Sequence, residues 1–299
     1  MPGRIAPPGM YPSVRGQGAA RFGSLPGILN MELNLDPSEL QPLGEYDFER
    51  SFNDRDAREW MQDNWHKSLF FAVAYVILVF GIQHFMKERR GYKLRVPLTL
   101  WSLSLALFSA IGANRIWKQM AFILSTKGFK QSVCSQSFYV HPISKFWVYL
   151  FVLSKLVELG DTMFIVLRKK QLIFLHWYHH ITTMIITWYG YKDMVAGGGW
   201  LAVLNFSVHA VMYSYYSVRA AGFRVSRFLA LAITLSQVLQ ILVYIILNIL
   251  IIFWMEDKVC HTTWRIVFLS SMAYLSLLVL FCNFFFKTYL RSTQKSKGQ

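Results

Sequence analysis

The sequence predicts an all-α, polytopic membrane protein with seven transmembrane helices. Hydrophobic residues make up 54% of its 299 residues and charged residues only 16%. This balance excludes a disordered chain, a coiled coil and a disulfide-rich secreted module. Seven apolar runs reach the roughly 20 residues that are needed to cross a hydrocarbon core about 30 Å thick. Helices are expected because lipid offers backbone amides no hydrogen-bonding partner.

Polar loops separate the seven apolar runs. Only the third run contains Asp, Glu, Lys or Arg, namely Lys155, Glu158 and Asp161. The other six are uninterrupted, which is typical of helices in lipid. The predicted spans are 68–86, 96–114, 146–167, 171–191, 194–218, 228–255 and 266–286.

Charge distribution predicts the orientation. The chain has 31 Lys and Arg against 16 Asp and Glu, but the basic residues fall between apolar runs instead of forming one polar face, so nucleic-acid binding is not expected. Fifteen of them lie in the odd loops and the C-terminal tail and eight in the even loops, although the second loop, 115–145, has five. The positive-inside rule therefore predicts a lumenal N-terminus and a cytosolic C-terminus.

Composition divides the chain into four parts. Residues 1–44 are rich in Pro, Gly and Arg and are expected to be disordered. Residues 45–67 carry seven acids and four bases and are interpreted as a lumenal interfacial segment, before the membrane domain 68–286. In the basic tail 287–299, Lys295 and Lys297 resemble the dilysine-type retrieval signal of endoplasmic reticulum membrane proteins. The alternative is a merely solvated basic tail.

Ionisable groups in the third span are a functional hypothesis by default. Lys155, Glu158 and Asp161 are three residues apart and are expected on one helix face, with Thr162 beside them. The alternative is an ion pair between Lys155 and Glu158 that only packs two helices.

The next three spans repeat this polar pattern. Spacings of three and four place His176 on the same face as His179 and His180. Similar spacings form polar stripes in the following two spans, at Asn205, His209, Tyr213 and Tyr216, and at Thr234, Gln237, Gln240 and Tyr244.

The polar groups are predicted to share one depth. At a rise of 1.5 Å per residue, Asp161, His179 and His209 lie about 10–15 Å from the cytosolic ends of their spans. This predicts a buried chamber that opens toward the cytosol. Its basic rim suits a phosphate-bearing substrate. The rim residues are Arg168, Lys169, Lys170, Arg219, Arg224 and Arg227.

Three kinds of protein fit this chamber. A histidine-box lipid desaturase or hydroxylase would hold metal, but such enzymes use about eight clustered histidines, and four of the eight here stand alone; no metal site is predicted. Acyl transfer would use a histidine as nucleophile or base. A seven-span receptor or carrier gives no reason for histidines aligned with carboxylates.

The cysteines are not expected to take part in catalysis. Cys134 and Cys260 lie in the predicted lumenal loops, and Cys282 stands alone near the cytosolic end of the last span. In an oxidising lumen Cys134 and Cys260 can form a disulfide. The alternative is two free thiols.

Four ordered elements resemble those of the very-long-chain fatty-acid elongase family of the endoplasmic reticulum. The resemblance covers residues 45–299. Trp177 and the stretches 191–200 and 219–227 look most like member six, and 87–91 and 260–263 like member three. The four elements are 155–162 (KLVELGDT), 176–180 (HWYHH), 205–216 (NFSVHAVMYSYY) and 234–240 (TLSQVLQ).

The resemblance implies a 3-ketoacyl-CoA synthase with no bound cofactor. Such an enzyme condenses acyl-CoA, mainly saturated and monounsaturated chains of about twelve to sixteen carbons, with malonyl-CoA. It releases carbon dioxide and CoA. Six helices would surround a tunnel and the first, 68–86, would lie outside. The implied partners are membrane lipid, the elongation-cycle reductases and dehydratase, and a second copy of the chain.

The resemblance also implies roles for the polar residues. His179 would attack the thioester, and His180 or His209 would orient groups or relay protons. Asn205 and the amides of Gln237 and Gln240 would polarise a carbonyl. His176, Lys155, Glu158 and Asp161 complete the catalytic set, and Thr162, Tyr213 and Tyr216 join the basic rim in binding substrate.

Overall fold

A computed structural model describes residues 44–256 and 260–290, and in those ranges it contains helices and no strand. Most of the predicted disordered extension, and the predicted retrieval signal Lys295 and Lys297, lie outside the described residues. The helices are α1 Asp47–Arg50, α2 Asp54–Asn64, α3 Lys67–Phe85, α4 Arg95–Cys134, α5 Ser137–Val140, α6 Pro142–Val157, α7 Gly160–Leu167, α8 Phe174–Tyr191, α9 Gly198–Ala220, α10 Arg227–Met255 and α11 Trp264–Phe285, followed by a π-helical segment, Phe286–Leu290.

Four of the described helices are long and apolar enough to cross a membrane. They are α3, α4, α10, and α11 with its π-helical extension. The chain is therefore a polytopic, all-helical membrane protein within the described residues. The polar stripes that carry the histidines lower the hydropathy of α8 and α9, and α6 and α7 are short. The count of seven spans stays a prediction.

The third predicted span, 146–167, is not one continuous helix. It begins earlier, at Pro142, and is interrupted after Val157, so that α6 and α7 are separate. The backbone amides of Asp161 and Thr162 bond to carbonyls three residues back, which tightens the chain into a 3₁₀-type turn. Gly160 is required there, because a Cβ atom would lie 2.7 Å from the Trp101 ring.

The predicted second loop, 115–145, is wrong over most of its length. The α4 helix continues to Cys134, with a kink at Gly128, whose φ of 78° is left-handed. The continuation is stabilised by close packing against α9. Trp117 Nε1 donates to Ser207 Oγ at 2.9 Å, and Trp200 Nε1 donates to Ser132 Oγ at 3.1 Å.

The segment 45–67 forms α1 and α2, which pack onto the membrane helices. Met61 is fully buried, whereas Phe48 stays half-exposed. Glu49 is also fully buried, and its carboxylate accepts hydrogen bonds from Arg115 Nε at 2.9 Å and Trp147 Nε1 at 2.7 Å. The segment is thus anchored by a buried ion pair between Glu49 and Arg115.

The two ends of the bundle differ. At one end a disulfide joins Cys134 to Cys260, with Cα atoms 4.1 Å apart. The amide of Gly197 also donates to the carbonyl of Val133 at 2.8 Å. We call this the disulfide end. At the other end the connections 86–94, 168–173 and 221–226 meet, where the Arg95 side chain donates to the Ala221 carbonyl. We call this the basic end.

Candidate active site

A cavity of about 500 Å³ lies between α4 and the helices α6 to α11. The polar residues that the sequence predicted on separate helices share its wall. They are His176, His179, His180, Asn205, His209, Tyr213, Tyr216, Gln237 and Gln240, together with Lys155 and Asp161. Helical periodicity turns each of these stripes inward, because polar side chains avoid lipid.

The turn between α6 and α7 splits the predicted row of charges into two groups. Lys155 Nζ donates to Glu158 Oε1 at 2.7 Å and to Asn205 Oδ1 at 2.9 Å. Nδ1 of His209 lies 3.7 Å from the same Glu158 oxygen. Lys155 and Glu158 are both buried, so each charge depends on its partner. The pair links the turn to α9.

Asp161 faces a different set of partners. Its Oδ1 accepts a hydrogen bond from Trp101 Nε1 at 2.7 Å, and its Oδ2 accepts one from Tyr213 OH at 2.7 Å. Nε2 of His180 is 4.0 Å from Oδ2. Asp161 therefore joins α4, α9 and the histidine box.

The first histidine of the box, His176, contacts the buried hydroxyl of Thr162. Its Nε2 lies 3.0 Å from Thr162 Oγ1, which in turn lies 2.6 Å from Tyr75 OH on α3. Thr162 is fully buried and does not line the described cavity. The Thr162 hydroxyl is committed to these two side chains, and its predicted role in binding substrate stays a prediction.

His179 differs from the other box histidines. Its ring centroid is 5.5 Å from that of His180 and 6.1 Å from that of Phe281. Among residues 44–256 and 260–290, no side chain hydrogen-bonds to a ring nitrogen of His179. The imidazole lines the cavity with a ring nitrogen available to a ligand.

The amides of α10 have protein partners of modest strength. Gln237 Nε2 lies 3.1 Å from Met212 Sδ. Gln240 donates to Tyr244 OH, which donates to the Leu201 carbonyl at 3.0 Å. A thioether is a weak acceptor, so Gln237 is the amide more easily released to a substrate carbonyl.

Three of the six predicted rim residues line the cavity. Arg168, Lys170 and Arg219 line the cavity at the basic end. Lys169 does not line the cavity. Its Nζ donates instead to the Lys87 carbonyl at 2.8 Å, and its backbone is left-handed, with a φ of 52°.

Arg224 and Arg227 are also absent from the lining of the described cavity. Both are exposed. Arg224 lies in the connection that follows Gly222, whose φ is 93°, and Arg227 begins α10. The chain reverses direction between α9 and α10. The helical periodicity that directs Arg219 toward the cavity therefore does not extend to Arg224 and Arg227.

A second, smaller cavity of about 60 Å³ adjoins the first toward the disulfide end. Both cavities are lined by Phe151, Thr187, Leu201, Tyr244 and Tyr274. These five side chains form the constriction between the two spaces. The arrangement suits a long apolar chain whose reactive end lies beside the histidines.

Sequence reasoning missed two contributors, Trp101 and Tyr75. Both lie in apolar helices, α4 and α3, and neither belongs to a polar stripe. The available signal was weak, because a single tryptophan or tyrosine in a span usually serves packing. Within the described ranges, no three His, Cys, Asp or Glu side chains are placed to hold one metal ion.

Comparison with known proteins places the chain in a family. Residues 60–297 match the ELO: GNS1/SUR4 family. "Very long chain fatty acid elongase 6" of Gallus gallus is 57% identical over 255 residues, 85% of this chain and 96% of that protein. The Homo sapiens protein of that name is 57% identical over 254 residues, with the same shares of both chains. "Very long chain fatty acid elongase 3" of Homo sapiens is 43% identical over 265 residues, 89% and 97% of the two chains. The chain belongs to the ELO: GNS1/SUR4 family.

Proposed function

We propose that this chain is a very-long-chain fatty-acid elongase of the 3-ketoacyl-CoA synthase type. It condenses a long-chain acyl-CoA, mainly saturated or monounsaturated and of about twelve to sixteen carbons, with malonyl-CoA. The observation that carries the proposal is the state of His179. Its imidazole lines the cavity with no side-chain hydrogen bond to its ring nitrogens among the described residues, whereas His176 bonds to Thr162 at 3.0 Å and His180 faces the Asp161 carboxylate at 4.0 Å. The names of the similar proteins support the reaction class.

The first half-reaction forms an acyl-histidine. An unprotonated ring nitrogen of His179 attacks the thioester carbonyl, the carbon–sulfur bond breaks, and CoA leaves as a thiolate. The proton of the second ring nitrogen leaves with CoA, giving a neutral acyl-imidazole and a free thiol. Gln237, which lines the same cavity, donates a hydrogen bond to the oxyanion that develops on the carbonyl in this proposal. A water-poor chamber protects the intermediate from hydrolysis.

The second half-reaction forms the new carbon–carbon bond. Malonyl-CoA loses carbon dioxide, and the electron pair left on its α-carbon attacks the acyl carbonyl. The bond to His179 breaks, the leaving imidazolate takes up one proton that comes from solvent, and 3-ketoacyl-CoA is released. Arg168, Lys170 and Arg219 at the basic end match the phosphates of CoA. His209 and His180 are the nearby groups for proton transfer.

The same proposal covers the placement of the chain in the cell. The protein is a multi-pass enzyme of the endoplasmic reticulum with a lumenal N-terminus and a cytosolic basic end. Seven spans cross the membrane, six of them around the cavity, and residues 45–67 form the lumenal segment. The tail 287–299 retrieves the protein to that membrane. The product requires a ketoreductase, a dehydratase and an enoyl reductase as later partners, and two copies of the chain associate.

A condensation assay on purified full-length protein tests this function. Palmitoyl-CoA and malonyl-CoA are supplied in detergent, and 3-ketostearoyl-CoA is measured by mass spectrometry. With palmitoyl-CoA alone, intact-mass analysis is expected to show a palmitoyl adduct and one equivalent of CoA. The adduct and the product should both be lost in His179→Ala. They should persist in His84→Ala, because His84 is exposed near the end of α3, outside the site.

Two results would overturn the proposal. Full activity of a folded His179→Ala variant would remove the acyl-histidine mechanism. Absence of ketoacyl product from every saturated and unsaturated acyl-CoA would remove the synthase itself. In the latter case, oxygen-dependent desaturation in protein loaded with iron would support the rival histidine-box enzyme, and ligand binding without turnover would support a receptor or carrier.

A further inference from the structure

The carboxylate of Asp161 is anchored by a residue outside the four sequence elements of the site. Trp101 Nε1 donates to Oδ1 at 2.7 Å from α4. Tyr213 OH donates to Oδ2 at 2.7 Å, and Nε2 of His180 lies 4.0 Å from that same oxygen. Each carboxylate oxygen therefore has one neutral donor, and the histidine approaches the oxygen shared with Tyr213.

The direction of the Trp101 indole is fixed by packing. Its ring covers Gly160 so closely that a Cβ atom there would lie 2.7 Å from it. The Phe164 ring is 5.8 Å away, centroid to centroid. An indole nitrogen is only a donor, so this side chain has one polar function, which it directs at Asp161. The anchor therefore holds the carboxylate from a different helix, in one orientation.

His180 depends on that orientation. Its ring centroid is 4.5 Å from that of His176 and 5.5 Å from that of His179. Its Nε2 lies 4.0 Å from Asp161 Oδ2, so the carboxylate faces the ring as a charge and does not accept a direct hydrogen bond from it. If the carboxylate rotates, His180 loses the group that orients it. His179, the proposed nucleophile, then has a neighbour of undefined orientation.

We propose that Trp101 is a positioning residue for the reaction at this site. Its indole N–H fixes the Asp161 carboxylate, and the carboxylate orients His180 beside His179. This inference rests on the proposed function for its kinetic consequence. The geometry itself is independent of which acyl substrate is used.

The test compares two tryptophans of α4. The Trp101 indole donates a hydrogen bond to α7, and the Trp117 indole donates one to α9. Trp101→Phe keeps an aromatic ring on Gly160 and removes the donor. Trp117→Phe is the matched control, since Trp117 Nε1 donates to Ser207 Oγ at 2.9 Å, away from the cavity. Hydrogen bonds to charged groups are the stronger ones, so we expect kcat to fall roughly tenfold or more in Trp101→Phe. KM for palmitoyl-CoA should change less than about twofold, and Trp117→Phe should match wild type.

A double-mutant cycle separates positioning from general structure. In an Asp161→Asn background, Trp101→Phe should cost little more, because the anchored carboxylate is already gone. A residue that only packs α4 against α7 would lower activity by the same factor in both backgrounds. Equal losses in the two backgrounds, or full kcat in Trp101→Phe, would overturn the proposal.

An NMR measurement that needs no turnover distinguishes failure of the positioning role of Trp101 from failure of the proposed synthase function. In protein labelled with ¹⁵N-histidine, the ring signals of His180 are assigned by their loss in His180→Asn. They should shift in Trp101→Phe and stay unchanged in Trp117→Phe. Unshifted His180 signals in Trp101→Phe refute the positioning role, even if wild-type protein makes no ketoacyl product. Shifted signals in a protein without synthase activity would support the positioning role while the proposed function fails.

Discussion

Replacing Glu49 by glutamine tests whether the segment 45–67 is held by a buried ion pair. Glu49 is fully buried on α1. Its carboxylate accepts hydrogen bonds from Arg115, from Trp147 and from the backbone amide of Tyr46 at 2.9 Å. Glu49→Gln keeps the size of the side chain and removes the negative charge. The guanidinium of Arg115 then stays buried without its counter-charge.

The cost of this change follows from burial. The side chains of Arg115 and Glu49 are only 6% and 0% exposed. Removing one partner of a buried pair costs about 3–5 kcal/mol, because an uncompensated charge remains inside. Chains of this size lose roughly 2–4 °C in Tm for each kcal/mol. We therefore expect Tm to fall by on the order of 10 °C.

The assay is thermal unfolding in detergent, followed by intrinsic tryptophan fluorescence. The matched control is Glu59→Gln in the neighbouring α2, where Glu59 pairs with Arg55 at 3.0 Å four residues away. That pair is mostly exposed, with 78% and 58% of the two side chains accessible. Exposed pairs of this kind contribute about 0.3–0.5 kcal/mol, so the control should shift Tm by about 2 °C or less.

The effect should also depend on pH. Burial opposes ionisation of Glu49, but the hydrogen bonds from Arg115, the Tyr46 amide and Trp147 together hold its pKa below the ordinary value of 4.5. A lowered pKa in the folded protein adds stability above the unfolded value, and that stability is lost as pH falls through the folded one. The difference in Tm between wild type and Glu49→Gln should therefore be full at pH 7 and shrink below about pH 4.5. The reasoning is refuted if Glu49→Gln and Glu59→Gln lower Tm equally at pH 7.

Three further changes test other parts of the structure. Tyr75→Phe removes the hydroxyl that bonds to Thr162, and we expect turnover to fall about three- to tenfold, because one neutral hydrogen bond contributes about 1 kcal/mol. Joint replacement of Cys134 and Cys260 by serine opens a link across 126 residues, and should cost about 2–4 kcal/mol in unfolding with catalysis retained. Tyr274→Ala should join the two cavities, so that the preference among acyl-CoA substrates moves toward longer chains, measured with a chain-length panel.

Each of these predictions has a matched control. Tyr178→Phe also removes a hydroxyl bonded to another helix, at Ser276, and should leave turnover unchanged. Cys282→Ser alters the free cysteine and should not change Tm. Leu275 is half-exposed on α11, so Leu275→Ala should not shift the preferred chain length. Equal effects in variant and control would contradict the corresponding prediction.

Local sequence patterns predicted much of the fold and of the candidate site. Long apolar runs predict helices because the backbone must satisfy its own hydrogen bonds in lipid. Spacings of three and four predict which polar side chains share a face. These two rules predict that the histidines at 176–180 and the stripe from Asn205 to Tyr216 face one chamber. The structure places these side chains around one cavity.

Packing between distant segments decided the rest. Trp101 lies against Gly160 beside the interruption after Val157, and the extension of α4 to Cys134 is bonded to α9 through Trp117 and Ser207. Neither contact is visible in a hydropathy pattern, since the partners are tens of residues apart.

The sequence by itself determined the class of fold and the inward-facing polar stripes, because these follow from composition and from periodicity along one helix. The family was indicated separately, by the resemblance of four ordered sequence elements. Only the tertiary structure decided which partner each polar group takes. It committed Thr162 to His176 and Tyr75, turned Lys169 away from the cavity, and brought Trp101 to Asp161. Such pairings depend on how helices cross, and a helix crossing is set by side-chain shapes on both partners at once.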